Sequence, residues 1–305
     1  MKEEFWFDSC GAGKICCSKW SPEGTPKAVV QIVHGITEHI ARYETFACDL
    51  TEHGYLVVAE DHMGHGRSVN GDGIQGYFHG GWFSAVEDTW RLMQQTRAEY
   101  PDIPYILLGH SMGSFMARTI LCKYPDCGLT AAVICGTGWQ PAFALPGLIK
   151  VVEGICKVSG ETKPNAKLQN LVFGSYNKKV EHPRTAFDWL SRDSKIVDEY
   201  IAHPLCGFIA SAGLLRDMMK GIHYIEQPGN LANMNSSLPV FFIACGDDPV
   251  GPYGKAVQTC AKAFRKAGMD DVSVRIYPLC RHEILNEINR IQVYQDVLKW
   301  IEKYL

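Results

Sequence analysis

Apolar residues along this chain follow two alternating rhythms. Short apolar runs occupy residues 28–33, 55–59, 105–108, 131–135 and 240–244, broken only by Gln31. Runs without polar alternation are the mark of strands covered on both faces. Between them, apolar residues return every three or four positions. Trp82, Val86, Trp90 and Met93 form one such helical stripe, stopped by Pro101 and Pro104. The same spacing predicts helices over 41–53, over 112–124 closed by Pro125, and over 253–267 closed by Gly268. A C-terminal helix carries Ile288, Ile291, Tyr294, Leu298, Ile301 and Leu305. Val272, Val274 and Ile276 alternate with polar residues, as in a strand near a sheet edge. Phe5 to Phe7 and Ile15 to Cys17 flank Gly11-Ala12-Gly13 and predict a hairpin. Alternating strands and helices predict an α/β fold with a mostly parallel central sheet.

The alternation breaks over residues 138–227, where only helical patterns are found. Leu145, Leu148, Ile149, Val152 and Ile155 form one apolar face, and Trp189-Leu190 and residues 209–219 carry others. With 305 residues and 46% hydrophobic content, the chain can bury a large core. A net charge of −3 with no basic block argues against nucleic acid as a partner. The start Met1-Lys2-Glu3-Glu4-Phe5 has acids where an export signal needs a cationic start and an apolar run. The most apolar stretch, 144–158, is interrupted by Lys150 and Glu153 and is too short to span a bilayer. Twelve cysteines are scattered, several inside apolar runs, so the expectation is reduced, buried thiols in a cytoplasmic protein. Cys122 and Cys127 lack the second pair a zinc site needs.

Candidate chemistry centres on Gly109-His110-Ser111-Met112-Gly113, which fits the G-x-S-x-G elbow between a strand and a helix. Such a turn places a serine hydroxyl at the end of a sheet beside a helix N-terminus. A nucleophilic serine needs a base and an acid to orient that base, and on this type of sheet the chain order is Ser, then Asp or Glu, then His. The strand 240–244 leads into Asp247-Asp248-Pro249, and the strand from Val272 leads into Arg281-His282-Glu283. His282 is therefore the expected base. Asp248 is the preferred acid because Pro249 fixes the turn behind it, with Asp247 as the alternative. Oxyanion donors are expected from the backbone N–H of Met112 and of Ile36, in the loop after His34-Gly35.

His34-Gly35-Ile36-Thr37-Glu38-His39 with Arg42-Tyr43, Asp61-His62-Met63-Gly64-His65-Gly66-Arg67-Ser68, the elbow, and the His282 loop together resemble monoacylglycerol lipase and bacterial lysophospholipase-like hydrolases. Asp248-Pro249-Val250 also matches their acid loop, although Cys245 stands where those sequences have glycine. The resemblance implies an α/β-hydrolase core over 1–137 and 228–305 with a helical cap over 138–227. It further implies a serine ester hydrolase acting through an acyl-enzyme on Ser111, needing no cofactor, on a small ester or monoacyl lipid. The alternatives are an iminopeptidase or amidase, for which Glu161, Glu181 or Asp188 would bind the amine, and a non-catalytic ligand-binding protein. Trp139 at a strand end, with Leu148, Ile149 and Val152, are candidate substrate contacts. His34, His39, His62, His65 and His79 show no metal-binding spacing, so no metal is expected. His34 and His62 are expected to brace the oxyanion loop, His110 to bond locally, and Glu38 with Arg42 to form a structural ion pair. The apolar 144–158 segment permits transient contact with a membrane surface. The sequence assigns no oligomeric state.

Overall fold

The computed structural model describes residues 1–69, 73–140 and 143–305. Its eight strands are β1 (Lys2–Asp8), β2 (Lys14–Trp20), β3 (Val29–Val33), β4 (Leu56–Glu60), β5 (Tyr105–His110), β6 (Ala131–Cys135), β7 (Val240–Cys245) and β8 (Val272–Tyr277). They form one sheet in the order β1-β2-β4-β3-β5-β6-β7-β8. The β1–β2 hairpin and the β2–β4 pair are antiparallel, and every pair from β4 to β8 is parallel. The largely apolar strands β3 to β7 are buried along their whole length, with Gln31, Glu60 and His110 buried among them. The outer strands β1 and β8 carry the charged and alternating sequences, which discourages pairing with another chain at the edges.

Successive strand residues point to opposite faces, so the sheet feeds two cores. Val29, Val33, Leu107 and Ile134 pack on one face against α2 (Trp82–Glu99) and α3 (Met112–Lys123). Val30, Ile32, Leu108 and Val133 pack on the other against α1 (Glu44–Glu52) and a C-terminal helix, Arg290–Ile301. The helix expected over 41–53 is split: Ile40–Tyr43 is a 3₁₀ turn, its first N–H held by Asp61 Oδ1 at 2.8 Å, and α1 starts at Glu44.

Between β6 and β7 the chain runs through α4 (Leu145–Ser159), α5 (Ala166–Phe173), α6 (Ser194–Ala202), α7 (Ala212–Ile225) and α8 (Pro228–Leu231). After β7 come α9 (Lys255–Lys266) and, following β8, the C-terminal helix α10. Helix α7 seats this inserted segment on the core. A Cβ on Gly221 would lie 2.1 Å from the Trp82 ring, so only glycine lets the two helices meet there. Trp189 and Leu190 are not helical; they lie in a turn where Asn177 Oδ1 accepts the Trp189 N–H at 2.8 Å. Among the described residues, no helix is long and apolar enough to cross a membrane.

The expectation of reduced thiols fails at two positions. Cys245 and Cys280 form a disulfide, with Cα atoms 5.0 Å apart. Parallel pairing aligns Cys245 with Tyr277, so the turn after β8 brings residue 280 back beside residue 245. The other ten cysteines are free thiols. The bond closes a loop of 35-residue separation, and chain-entropy reasoning gives it about 3–4 kcal/mol. A Cys245→Ser/Cys280→Ser chain is therefore expected to lose stability of that order in guanidinium unfolding. An unchanged midpoint would show that the bond adds nothing to the folded state.

Candidate active site

Ser111 stands between β5 and α3 with φ 53°, a left-handed conformation that costs a non-glycine residue about 1–3 kcal/mol. Two close approaches impose it. A Cβ on Gly109 would lie 2.4 Å from the Gly113 carbonyl oxygen, and one on Gly113 would lie 2.0 Å from that of Val33. The strand and helix can therefore close tightly around the serine. The Ser111 N–H donates to Cys135 O at 3.0 Å, which ties the turn to β6.

His282 follows β8. Its Nδ1 lies 3.0 Å from Asp248 Oδ1, which also accepts the Val250 N–H at 2.9 Å. Asp248 is fully buried, whereas Asp247 is exposed and its N–H serves Cys280 O at 3.0 Å. Of the two aspartates, only Asp248 meets the histidine. The disulfide links the roots of both loops, since Cys245 precedes Asp248 by three residues and Cys280 precedes His282 by two. Ser111 and His282 line a common cavity.

Ile36 lies in the loop after β3. Glu38 Oε1 accepts the Gly35 N–H at 2.6 Å, and Thr37 has φ 54°. The inserted segment grips the same loop: Thr37 O accepts from the Gly207 N–H at 2.9 Å and from the Tyr200 hydroxyl at 3.1 Å. Below it, His34 Nδ1 donates to Gly35 O at 2.7 Å, and the His62 N–H donates to His34 Nε2 at 3.0 Å. The two rings are stacked with centroids 3.9 Å apart. Burial holds the His34 pKa well below its ordinary value, consistent with this neutral tautomer.

A buried charge network surrounds the elbow. Arg42 reaches Glu38 Oε2 at 2.7 Å and both carboxylate oxygens of Glu283 at 2.5 and 2.6 Å. The Tyr43 hydroxyl donates to Glu38 at 2.7 Å, so its oxygen can only accept from His110 Nδ1, 2.9 Å away. His110 Nε2 faces the His282 carbonyl at 3.2 Å. Both ring nitrogens then donate, which requires an imidazolium. Burial alone would lower the His110 pKa, but the hydrogen bond and charge of Glu38 outweigh it and leave it raised. Two carboxylates, one guanidinium and one imidazolium balance, and through them His110 holds the backbone of the His282 loop.

Two cavities meet at Ser111. One, of about 200 Å³, sets Thr37, Gln169, Asn170, Tyr200 and His282 among the apolar side chains of Phe173, Phe187, Leu190 and Ile209. The other, of about 260 Å³, is walled by Phe115, Leu145, Leu148, Met218, Met219 and Ile222. Met112 lines the apolar cavity, and Ile36 and Trp189 line both. Of the candidate substrate contacts, Leu148 lines the apolar cavity; Trp139, Ile149 and Val152 line neither. Helical rotation turns Ile149 and Val152 into the buried core with α7, and Trp139 packs over the Arg118 guanidinium at 5.7 Å. The residues that sequence reasoning missed include Met218, Met219 and Ile222. Their spacing on α7 marks an apolar face, but nothing in the sequence says that this face meets Ser111.

A parallel sheet of this order, with a serine on the turn between its fifth strand and third helix, defines an α/β-hydrolase. The chain belongs to the serine aminopeptidase S33 family of hydrolases, whose model matches residues 24–289. It is 34% identical over 292 residues to the monoglyceride lipase homolog of Monkeypox virus, covering 95% of this chain and 94% of that one. It is 29% identical to the monoacylglycerol lipase of Mycolicibacterium smegmatis, covering 100% and 98%. The thermostable carboxyl esterase of Bacillus coagulans, solved in complex with glycerol, superposes with a TM-score of 0.92 at 28% identity, covering 99% and 98%. The chain is accordingly a serine hydrolase of carboxylic esters, of the lipase and lysophospholipase type.

Proposed function

We propose that this chain hydrolyses monoacylglycerols, and that residues 138–227 form a cap that shapes both halves of the substrate site. The observation that carries this reading is the meeting of two largely apolar cavities at one serine, one of which also presents the side-chain amides of Gln169 and Asn170. An ester carbonyl at Ser111 would place its acyl chain among Met219, Ile222 and Leu148, and a small hydroxylated alcohol near Gln169 and Asn170.

In the proposed reaction Ser111 Oγ attacks the carbonyl carbon while His282 Nε2 takes its proton. Asp248 keeps the Nδ1 proton of His282 pointed at its carboxylate. The Ile36 and Met112 N–H groups receive the oxyanion of the tetrahedral intermediate. His282 then protonates the departing glycerol oxygen, leaving an acyl-enzyme. Water, deprotonated by His282, then attacks the acyl carbon; the bond to Ser111 Oγ breaks, Oγ takes the proton back from His282 and the fatty acid leaves.

The charges favour a neutral head group. Among the described residues, no lysine or arginine lines the cavity that holds Gln169 and Asn170, so a lysophospholipid phosphate finds no cation there. An amine would need an unpaired acid. Glu38 and Glu283 are both taken by Arg42, Glu161 is paired to Arg216 at 2.6 Å, and Asp188 accepts the Thr185 N–H at 3.0 Å. Glu161, Glu181 and Asp188 also line neither cavity. On the outside of the cap, Phe143, Val151, Val158 and Leu171 are exposed, which suits transient contact with a lipid surface. Ten free thiols support a reducing cytoplasm, with Cys245–Cys280 as the exception.

The test is a chain-length series of monoacylglycerols beside the matched lysophosphatidylcholines and aminoacyl amides. Medium or long monoacylglycerols are expected to be cleaved fastest. Met219→Trp, which fills the apolar cavity, should move the optimum to shorter chains and leave acetate ester hydrolysis within about twofold. A Val151→Glu/Val158→Glu chain should lose rate on vesicle-borne substrate and keep it on monomeric ester. A sharp acetate optimum, or faster cleavage of aminoacyl amides, would overturn the substrate assignment.

A further inference from the structure

Away from Ser111, three side chains able to ligate a transition metal converge where the inserted segment meets the core. His39 ends the loop that carries Ile36 and Thr37. His203 and Cys206 lie just after α6. His39 Nε2 is 3.2 Å from His203 Nδ1, and one ligand atom from each of His39, His203 and Cys206 lies within 4.8 Å of the others. Two nitrogens bound to one tetrahedral zinc ion at ordinary bond lengths stand about 3.3 Å apart. The two nitrogens, now joined by a hydrogen bond, thus need no change in separation to share an ion, only a change in direction.

The local backbone suits the same role. The Cys206 N–H donates to His203 O at 3.0 Å, closing a tight turn that sets a histidine and a cysteine three positions apart. Paired ligands with two intervening residues on a turn are the usual unit of a zinc site. The three residues open into one surface groove with Glu199, so an ion can enter from solvent and complete its shell with water. We infer that His39, His203 and Cys206 bind a divalent transition-metal ion, Zn²⁺ by the nature of its nitrogen and thiolate donors.

Binding requires a modest rearrangement. The two rings lie at 35° with centroids 4.3 Å apart, so each must turn its nitrogen lone pair toward the ion. That turn replaces the His39–His203 contact and the 3.2 Å bond from the Leu205 N–H to His203 Nδ1. Cys206 gives its thiol proton to solvent as the sulfur–metal bond forms, so each ion bound releases one proton from this residue. The ion would fasten residue 39 of the core to residues 203–206 of the insertion. The same insertion grips Thr37 through Tyr200 and Gly207. The site is therefore a clamp on the loop that carries the Ile36 N–H.

The test uses the full chain, stripped of metal by a chelator and titrated with Co²⁺ as a visible probe. The expected result is one ion per chain, with tetrahedral ligand-field bands and a thiolate-to-cobalt charge-transfer band, both displaced by Zn²⁺. Cys206→Ser should abolish the charge-transfer band, and it and His203→Asn should each weaken binding at least about 100-fold. A cobalt spectrum without the thiolate band, or equal affinity in the wild type and both variants, would overturn the site. Should a variant fail to fold, alkylation of the wild type still decides. Zn²⁺ should shield Cys206 from iodoacetamide while exposed Cys48 reacts as before, and equal labelling of Cys206 with and without Zn²⁺ refutes the proposal. These readouts follow metal, not turnover, so failure here leaves the ester-hydrolase reading standing.

Discussion

Ser111→Ala is expected to lower kcat for ester hydrolysis by about 10⁵–10⁶-fold, the loss that follows when the nucleophile of a serine–histidine pair is removed. Far-UV circular dichroism should be unchanged, because the side chain is small and the fold around it is fixed by backbone contacts from Gly109 and Gly113. The strain at this residue supplies an independent check. Alanine must keep φ near 53° at the same steric cost as serine, whereas glycine adopts it freely. Ser111→Gly should therefore be as inactive as Ser111→Ala, yet more stable by about 1 kcal/mol in denaturant. Substantial hydrolysis by either variant would remove Ser111 from the mechanism. Equal stability of the two would mean that the elbow stores no strain.

The second large effect is expected at Asp248. Asp248→Asn should reduce kcat about 10⁴-fold, while Asp247→Asn should stay within about twofold of wild type. The asymmetry rests on burial. Asp248 is inaccessible and its Oδ1 faces His282 Nδ1 and the Val250 N–H. An amide there presents either an NH₂ to the Val250 N–H or a neutral oxygen to His282, and so loses the charge that stabilises the imidazolium. Asp247 is exposed and holds its loop through its backbone, which asparagine keeps. Comparable losses in both variants would point to a loop that tolerates no change, not to one orienting acid. Loss confined to Asp247→Asn would reverse the assignment.

Much of this protein was legible in the chain alone. Mostly apolar runs marked the buried parallel strands because a strand covered on both faces takes a polar residue only where a partner satisfies it, as Thr89 does for Gln31 and Glu60. The elbow, the acid loop and the histidine loop were legible because each closes a strand, and parallel strands bring their carboxyl ends to one edge of the sheet. The meeting of Asp248, not Asp247, with His282 accords with the proline behind it. His34 and His62 also bond backbone beside the turn glycines, as their place in the sequence suggests.

Contacts between distant segments could not be read this way. Cys245 and Cys280 meet only because β7 and β8 pair in parallel with Cys245 opposite Tyr277. Ile149 and Val152 share an apolar stripe with Leu148, but where α7 packs decides which of them faces a cavity and which is core. Met219 and Ile222 become cavity walls for the same reason. His39 lies 164 residues from His203, and their juxtaposition depends on how the inserted helices settle on the loop that carries Ile36 and Thr37. Sequence pattern records the burial of each residue, which is local and periodic. It does not record which buried or half-buried face meets which, because that is settled by packing shapes across the whole chain.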